Sequence, residues 1–388
     1  MVPDIFYILI LSGEILLTPG SFYFVMNTGQ NDMNLSKRIV LIHLGGGIGD
    51  LLLSTALLQP LKEQFKDACV TMVIRREIKD LLQDHPMIDE VLPIESHALK
   101  SWSNFNTLIG ALRDRRFDIG IVLWSTAPVA WLLYLSGVPV RVGQGSRLFY
   151  SFLYTHRVRV RSEYGDTTSH WVDCLLDYVR ALGCEVSLPP PSSIIIRPGP
   201  QHHARADELL TAAGYSRGGL LIGFSVGKGI SLNEEKWPVE YFARCADELA
   251  RAFGATIVMT GDGREVELVR AVVSKMESNP VNAAGKTSLL ELAALTGRCS
   301  VFVCPDSAPM HIAAAMKVPT VGIFAQKSDF PQRWRPYALN YEVLVPQKNT
   351  CLLKCIKEKC PRFSCYEEIP PRLLIQAVSR LLSKDPIL

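Results

Sequence analysis

Apolar positions fall along the chain in two alternating textures. Short unbroken runs, such as Arg38 to Leu44, Val70 to Ile74, Leu220 to Phe224 and Val301 to Cys304, have no polar alternation. Runs of that length and texture predict strands covered on both faces, as in a parallel sheet. Longer stretches between them repeat apolar residues at helical spacing. Leu51 to Phe65 does so, with Leu51, Leu52, Leu57, Leu58 and Leu61 as its core face, and so do Asn104 to Arg115 and Ser125 to Tyr134. A helix opening at His170-Trp171 runs to Leu182 and ends at Gly183. Pro189-Pro190-Pro191 and Arg197-Pro198-Gly199-Pro200 interrupt the pattern. It resumes with helix Val239 to Phe253, strand Ala255 to Thr260, helix Leu289 to Thr296 and strand Thr320 to Phe324, and closes with helix Pro371 to Leu382.

Roughly five strand-and-helix alternations on each side of a proline-rich join predict an α/β chain of two Rossmann-like domains facing a cleft. The expected boundaries are 36–190 for the first domain, 191–218 for a linker and joining helix, and 219–348 for the second. Residues 349–388 hold a cysteine-rich segment and the last helix, expected to pack back toward the first domain. A length of 388 residues agrees with two domains.

Composition changes the picture in few places. A net charge of +3 gives no case for a nucleic-acid partner. Residues 1–35 are apolar but broken by Asp4, Gly13, Glu14, Pro19 and Gly20. Their longest clean run, Ile5 to Ser12, is well short of the roughly 20 residues a membrane span needs, and no basic stretch precedes it. The segment reads as a poorly ordered extension, with Met33 as an alternative start and a surface anchor as the lesser alternative. Six of the ten cysteines lie among apolar residues and read as core thiols. Cys351, Cys355, Cys360 and Cys365 lack tight C-x2-C pairs and read as reduced or locally disulfide-bonded thiols ahead of a zinc or iron–sulfur site. With no secretion signal, the chain is expected in the cytoplasm. Val158 to Arg161 alternates as an edge strand, and its arginines, Arg159 and Arg161, with Arg141, Arg147 and Arg157 make the first half locally basic, either as a solvated face or as a docking surface for a phosphorylated sugar–lipid.

The candidate chemistry lies at strand-to-helix turns. Gly45-Gly46-Gly47-Ile48-Gly49-Asp50 follows the first strand. It lacks the third glycine of a dinucleotide fingerprint, and the second strand runs into Arg75 and Arg76 instead of an acidic residue, which disfavours NAD. Asp50 reads either as a helix cap or as a general base toward the cleft. Ser225 opens a glycine-rich loop that ends at Lys236-Trp237-Pro238. After strand Ala255 to Thr260, Glu265 and, second to it, Asp262 are placed to meet ribose hydroxyls or to favour a helix start. Asp306-Ser307-Ala308 begins a helix carrying His311, where free N–H groups would suit an anion.

Taken in order, Gly-x-Ile48-Gly49-Asp50, His85-Pro86-x-Ile88-Asp89, Lys236-Trp237-Pro238, Gly285-Lys286-Thr287-Ser288 and Asp306-Ser307-x-x-x-His311 resemble the ADP-heptose:lipopolysaccharide heptosyltransferases of glycosyltransferase family 9. The resemblance covers roughly residues 37 to 384. It implies a GT-B fold, with Asp50 as catalytic base in an acceptor-binding first domain. It implies a donor held by Ser225, Lys236, Glu265, Asp306, Ser307, Ala308 and His311. Ala308 stands where the family has glycine, and Ala325-Gln326-Lys327 where it has Gly-Pro-Thr. The implied reaction is an inverting, metal-independent transfer of a heptose or similar sugar from an ADP-sugar, a substrate and not a cofactor. The implied acceptor is a phosphorylated glycolipid of the lipopolysaccharide core. The enzyme would sit in the cytoplasm or peripherally at the inner membrane's cytoplasmic face, with no obligate protein partner. Rival readings are a transferase or epimerase for another nucleotide sugar, and a non-catalytic binding protein.

Overall fold

The buried runs become two parallel sheets of the same winding. The computed structural model describes residues 36–95, 97–216, 218–227, 237–324, 330–347 and 365–383. In the first half, β1 (Arg38–His43), β2 (Cys69–Arg75), β3 (Glu90–Ile94), β4 (Ile119–Val122), β5 (Val140–Gln144) and β6 (His156–Val158) lie in the order β3-β2-β1-β4-β5-β6. Helices α1 (Ile48–Ser54), α2 (Leu58–Gln64), α3 (Trp102–Asp114), α4 (Ala127–Leu135) and α5 (Trp171–Arg180) cover its faces. Successive residues of β1 point to opposite sides. Ile39 and Leu41 join one apolar core, while Val40 and Ile42 join the other.

The second half begins after α6 (Pro200–Ala212). It contains β7 (Leu221–Ser225), α7 (Val239–Phe253), β8 (Thr256–Thr260), α8 (Val266–Val273), β9 (Val281–Asn282), α9 (Leu289–Thr296) and β10 (Val301–Pro305). Then follow α10 (Ala308–Ala315), β11 (Thr320–Ile323), α11 (Pro331–Trp334), β12 (Tyr341–Leu344) and α12 (Pro371–Ser383). The strand order β12-β11-β10-β7-β8-β9 repeats the winding of the first sheet. In each sheet the chain starts in the middle, winds outward one way, and returns to wind outward the other way. Each half therefore has one switch point, between β1 and β4 and between β7 and β10. There the loops at the strands' carboxyl ends diverge and leave a crevice.

The halves share one core. Leu290 and Ala293 of α9, Ile312 and Ala315 of α10, and Tyr337 are buried with Leu51, Leu52 and Leu53 of α1. Full burial of leucines like these is worth about 1.5–3 kcal/mol each, so the packing of α1 on α10 is a substantial join.

Three local expectations change. The helix expected over Leu51 to Phe65 is two helices, joined by a 3₁₀ turn at Thr55–Leu57. Pro60 explains the break: it has no N–H to give to the carbonyl one turn back, and its ring crowds that carbonyl. The edge strand expected at Val158 to Arg161 is His156–Val158 instead. Each half has six strands rather than five. The last helix also packs differently from expectation. Leu374, Ala377, Val378 and Leu381 of α12 are buried with Trp237 and Phe242 in the second half's core. The Trp237 indole donates to the carbonyl of Ile369 at 2.9 Å, tying the approach to α12 onto its own half.

Candidate active site

In the first half, β1 delivers the chain to the glycine turn at the switch point. Gly46 has φ +67°, which only glycine adopts freely. Trp124, just past β4, lies against the same turn. A Cβ at Gly45 would sit 2.4 Å from its Cδ1, so the close approach requires glycine. The amide of Gly47 donates to Asp50 Oδ2 at 2.7 Å. Asp50 is thus the third residue of α1 and closes its first turn. Its other oxygen, Oδ1, is buried without a hydrogen-bond partner. Burial raises the Asp50 pKa above the ordinary carboxylate value, opposed by the Gly47 amide, its own amide and the charge of Arg75. Arg75, at the end of β2, donates to the carbonyl of Gly46 at 3.0 Å and so braces the turn. One carboxylate therefore caps a helix with one oxygen and keeps the other dry and unengaged. The two sequence readings of Asp50 are compatible.

In the second half, the side chains gather at the ends of β7, β8 and β10. Ser225 is the buried last residue of β7. The Glu265 carboxylate precedes α8 and accepts from the Asp262 amide at 2.8 Å. A Cβ at Gly227 would lie 2.4 Å from Glu265 Oε1, so the carboxylate reaches the loop after β7 only because Gly227 has no side chain. Asp262 is otherwise engaged. It accepts from the Arg264 amide at 2.7 Å and pairs with the Arg264 guanidinium at 2.5 Å. Asp306 is buried, and its amide donates to the carbonyl of Ile323 at 3.0 Å. Ser307 stands at the N-cap of α10, but its hydroxyl turns back to the Pro305 carbonyl at 3.1 Å and leaves the first helical turn uncapped by a side chain. Ala308 begins the helix. Cys304 lies beneath, 3.0 Å from the Ser307 hydroxyl, and burial pushes its thiol up to about 12.

His311 links the two halves. It is buried, and its ring rests on Gly49, where a Cβ would lie 2.5 Å from His311 Cδ2. Burial, helped by nearby His170, lowers its pKa to about 3. The ring is therefore neutral near pH 7. It faces α1 and supplies no positive charge to an anion at the helix start.

Nothing local in the chain singles out the residues that cross between the halves. His170 accepts from the Val172 amide through Nδ1 and meets the carbonyl of Arg335 through Nε2 at 3.0 Å. Its ring stacks on Tyr337 with centroids 4.9 Å apart. Trp171 lies 6.4 Å from Trp124 on one side and 5.1 Å from Trp334 on the other. This aromatic row runs from the glycine turn across to the second half. For Trp124 the legible signal is its place at the end of the apolar run that starts at Ile119.

Lys236, Cys351, Cys355 and Cys360 lie outside the described residues. Among the described residues no group of three or more His, Cys, Asp or Glu side chains is placed to hold a metal ion. The basic face of the first half is largely committed. Arg161 bonds to Asp173 and Asp177, Arg141 to the carbonyls of Val138 and Leu153, and Arg147 to Glu163.

Comparison with known proteins bears on this arrangement. Residues 106–365 match the family model described as glycosyltransferase family 9 (heptosyltransferase). Asp50 precedes that segment. Lipopolysaccharide heptosyltransferase 3 of Escherichia coli is 26% identical over 301 residues, covering 75% of this chain and 84% of that protein. The crystal structure of a family 9 glycosyltransferase from Veillonella parvula superposes with a TM-score of 0.79 at 28% identity, covering 91% of this chain and 99% of that one. E. coli ADP-heptose lipopolysaccharide heptosyltransferase II shares the fold with a TM-score of 0.70 at 20% identity, over 89% of this chain and 98% of its own. Twin α/β halves of the GT-B kind, joined through α1 and α10, and a family match over most of the chain make this protein a member of glycosyltransferase family 9 and an enzyme of sugar transfer.

Proposed function

We propose that the enzyme moves a heptose or similar sugar from an ADP-sugar to a hydroxyl of a lipopolysaccharide core or related glycolipid acceptor, without a metal ion and with inversion. The observation that carries this reading is the packing of α1 on α10 through Gly49 and His311. It brings the Asp50 turn and the start of α10, each at its own sheet's switch point, to one interface. The names of the related heptosyltransferases support the choice of donor and acceptor.

In the proposed step the acceptor hydroxyl attacks the anomeric carbon while its proton passes to Asp50 Oδ1. The bond from that carbon to the diphosphate oxygen breaks, and the electron pair leaves with ADP. Burial raises the Asp50 pKa, which makes its carboxylate a better proton acceptor. The start of α10 offers its N–H groups to the departing diphosphate, with Lys236 adding a charge. Glu265 meets the donor's ribose hydroxyls, with Ser225 beside them. Asp306 orders the turn and the sugar hydroxyls rather than meeting the phosphates, because like charges repel. Ala308 is the first helical residue and does not have a positive φ, so the backbone there does not call for glycine. The reaction takes place in the cytoplasm, with the enzyme peripheral to the membrane that carries the acceptor. No helix of the described residues is long and apolar enough to cross that membrane.

A donor panel tests the reading. Release of nucleoside diphosphate is measured with ADP-, UDP- and GDP-sugars in the presence of core glycolipid. Acceptor-dependent ADP release from an ADP-heptose supports it. Turnover only with a UDP- or GDP-sugar would overturn the donor assignment.

A further inference from the structure

The first half carries an exposed apolar face outside the transfer site. Trp131 and Tyr134 stand on the outer side of α4, and Leu148, Phe149 and Phe152 lie between β5 and β6. Leu148 and Phe149 are 85% and 84% exposed. Trp131 meets Tyr134 and Phe152 edge-on, with centroids 5.8 Å and 6.3 Å apart. Phe152 shares the β5–β6 connection with Leu148 and Phe149, and large apolar side chains gathered at such exposure mark an interaction surface.

Its charge narrows the partner. From Ile119 to Ser162 the chain has five arginines and neither Asp nor Glu. Arg161 turns inward, but three others border the apolar group. Arg141 lies over the Tyr134 ring at 5.3 Å. Arg147 adjoins Leu148, is half exposed and shares its charge with Glu163, the first acid after that window, at 2.9 Å. Arg157 is exposed and flanks Gly145, where a Cβ would lie 3.2 Å from its own Cβ. The face is also tied to the cleft. Tyr150 donates to the Ser125 carbonyl at 2.8 Å, and the Tyr154 and Ser125 hydroxyls are 2.6 Å apart. Ser125 follows Trp124, which covers the glycine turn.

We propose that this face docks on an anionic phospholipid bilayer, with Leu148 and Phe149 entering the acyl boundary and Trp131, Tyr134 and the arginines at headgroup level. Tryptophan and tyrosine favour that depth. Arginines there are drawn to anionic lipid, and apolar insertion combined with basic charge gives stable peripheral binding where either alone is marginal. A second copy of the chain fits less well, since it would bring arginines against arginines. The proposal deepens the glycolipid-acceptor reading and rests on it for its purpose. Vesicle binding is read without donor or acceptor, so each can fail separately.

The test is flotation of the full chain with phosphatidylcholine vesicles, with and without phosphatidylglycerol. Wild type, Leu148→Ser/Phe149→Ser and Arg157→Glu are compared, after thermal melts confirm that each is folded. Wild type should float with the anionic vesicles, and less so at high salt. The double variant should lose at least about tenfold in partition, and Arg157→Glu should lose binding to the anionic vesicles alone. Wild type that stays unbound, or a double variant that floats like wild type, overturns the proposal. So does a double variant that instead turns a dimer into a monomer by light scattering, since the face would then join two copies.

Discussion

At Gly49 a single missing methyl sets the distance between the halves. Gly49→Ala would place a carbon 2.5 Å from the His311 ring, so α1 and α10 would have to separate. Overpacking of this kind costs about 1–3 kcal/mol. The variant should melt lower, and adding His311→Ala should restore most of the loss in a double-mutant cycle. Additive losses would show that the two residues do not meet. Gly227 makes the same test on the donor side. Gly227→Ala should displace the Glu265 carboxylate and weaken ADP binding in calorimetric titration, and Glu265→Ala should weaken it similarly. Wild-type affinity in both would remove Glu265 from the donor site. The histidines set an acid limit. Burial lowers the pKa of His43, His85 and His170 to about 4 and of His311 to about 3, from an ordinary 6.5. The folded state thus prefers them neutral. Their contribution is complete above pH 6.5 and is lost as pH falls from 6.5 toward 4. The lowered carboxylates, such as Glu90 and Asp173, act only below their ordinary values of 4.5 and 3.8. Denaturation midpoints should therefore fall between pH 7 and pH 5, and less steeply in His170→Gln. A flat profile would contradict neutral burial.

Among the elements, α9 shows how far local rules reach. By residue type alone Thr287 and Ser288 can each cap it. Ser288 is the cap, accepting from the Glu291 amide at 3.3 Å while Glu291 accepts from the Ser288 amide at 2.7 Å. Ser288→Ala should cost about 1 kcal/mol in urea unfolding, and Thr287→Ala much less. Equal effects would contradict the assignment. The strands and helices were legible because buried runs and helical spacing are local signals. The 3₁₀ turn before Pro60 was legible in principle, since proline's missing N–H is local too, but the leucine pattern ran across it. The docking of α12 was not legible. An amphipathic helix states that it has an apolar face, not which half will cover it, and Trp237 with Ile369 decides that through contacts far apart in the chain.

For the whole molecule, the two switch points explain why the candidate residues sit where they do. Ser225 ends a strand, and Asp50, Glu265 and Asp306 follow strands at their carboxyl ends; that much could be read from strand–turn–helix order. The pairing of Gly49 with His311 and the row Trp124, Trp171 and Trp334 could not be, because nothing local specifies which turn of one half meets which helix of the other. The same geometry makes Asp50 the point at which the functional reading stands or falls. Its Oδ2 accepts the Gly47 amide from the third position of α1, a bond that an asparagine side-chain oxygen also accepts, so a purely structural role predicts that asparagine replaces it with little loss. Its Oδ1 is dry and unpartnered, so a base role predicts otherwise. Because burial raises its pKa, the ionised carboxylate carries a stability cost at neutral pH, and Asp50→Asn should not lower the melting temperature. The direct measurement is single-turnover transfer from an ADP-heptose to a core glycolipid by Asp50→Asn, beside ADP titration and a thermal melt. A rate loss of roughly 10²–10⁴-fold, with ADP affinity kept and melting no lower than wild type, is the predicted result. Near-normal transfer would leave Asp50 as a helix cap and contradict its assignment as the base.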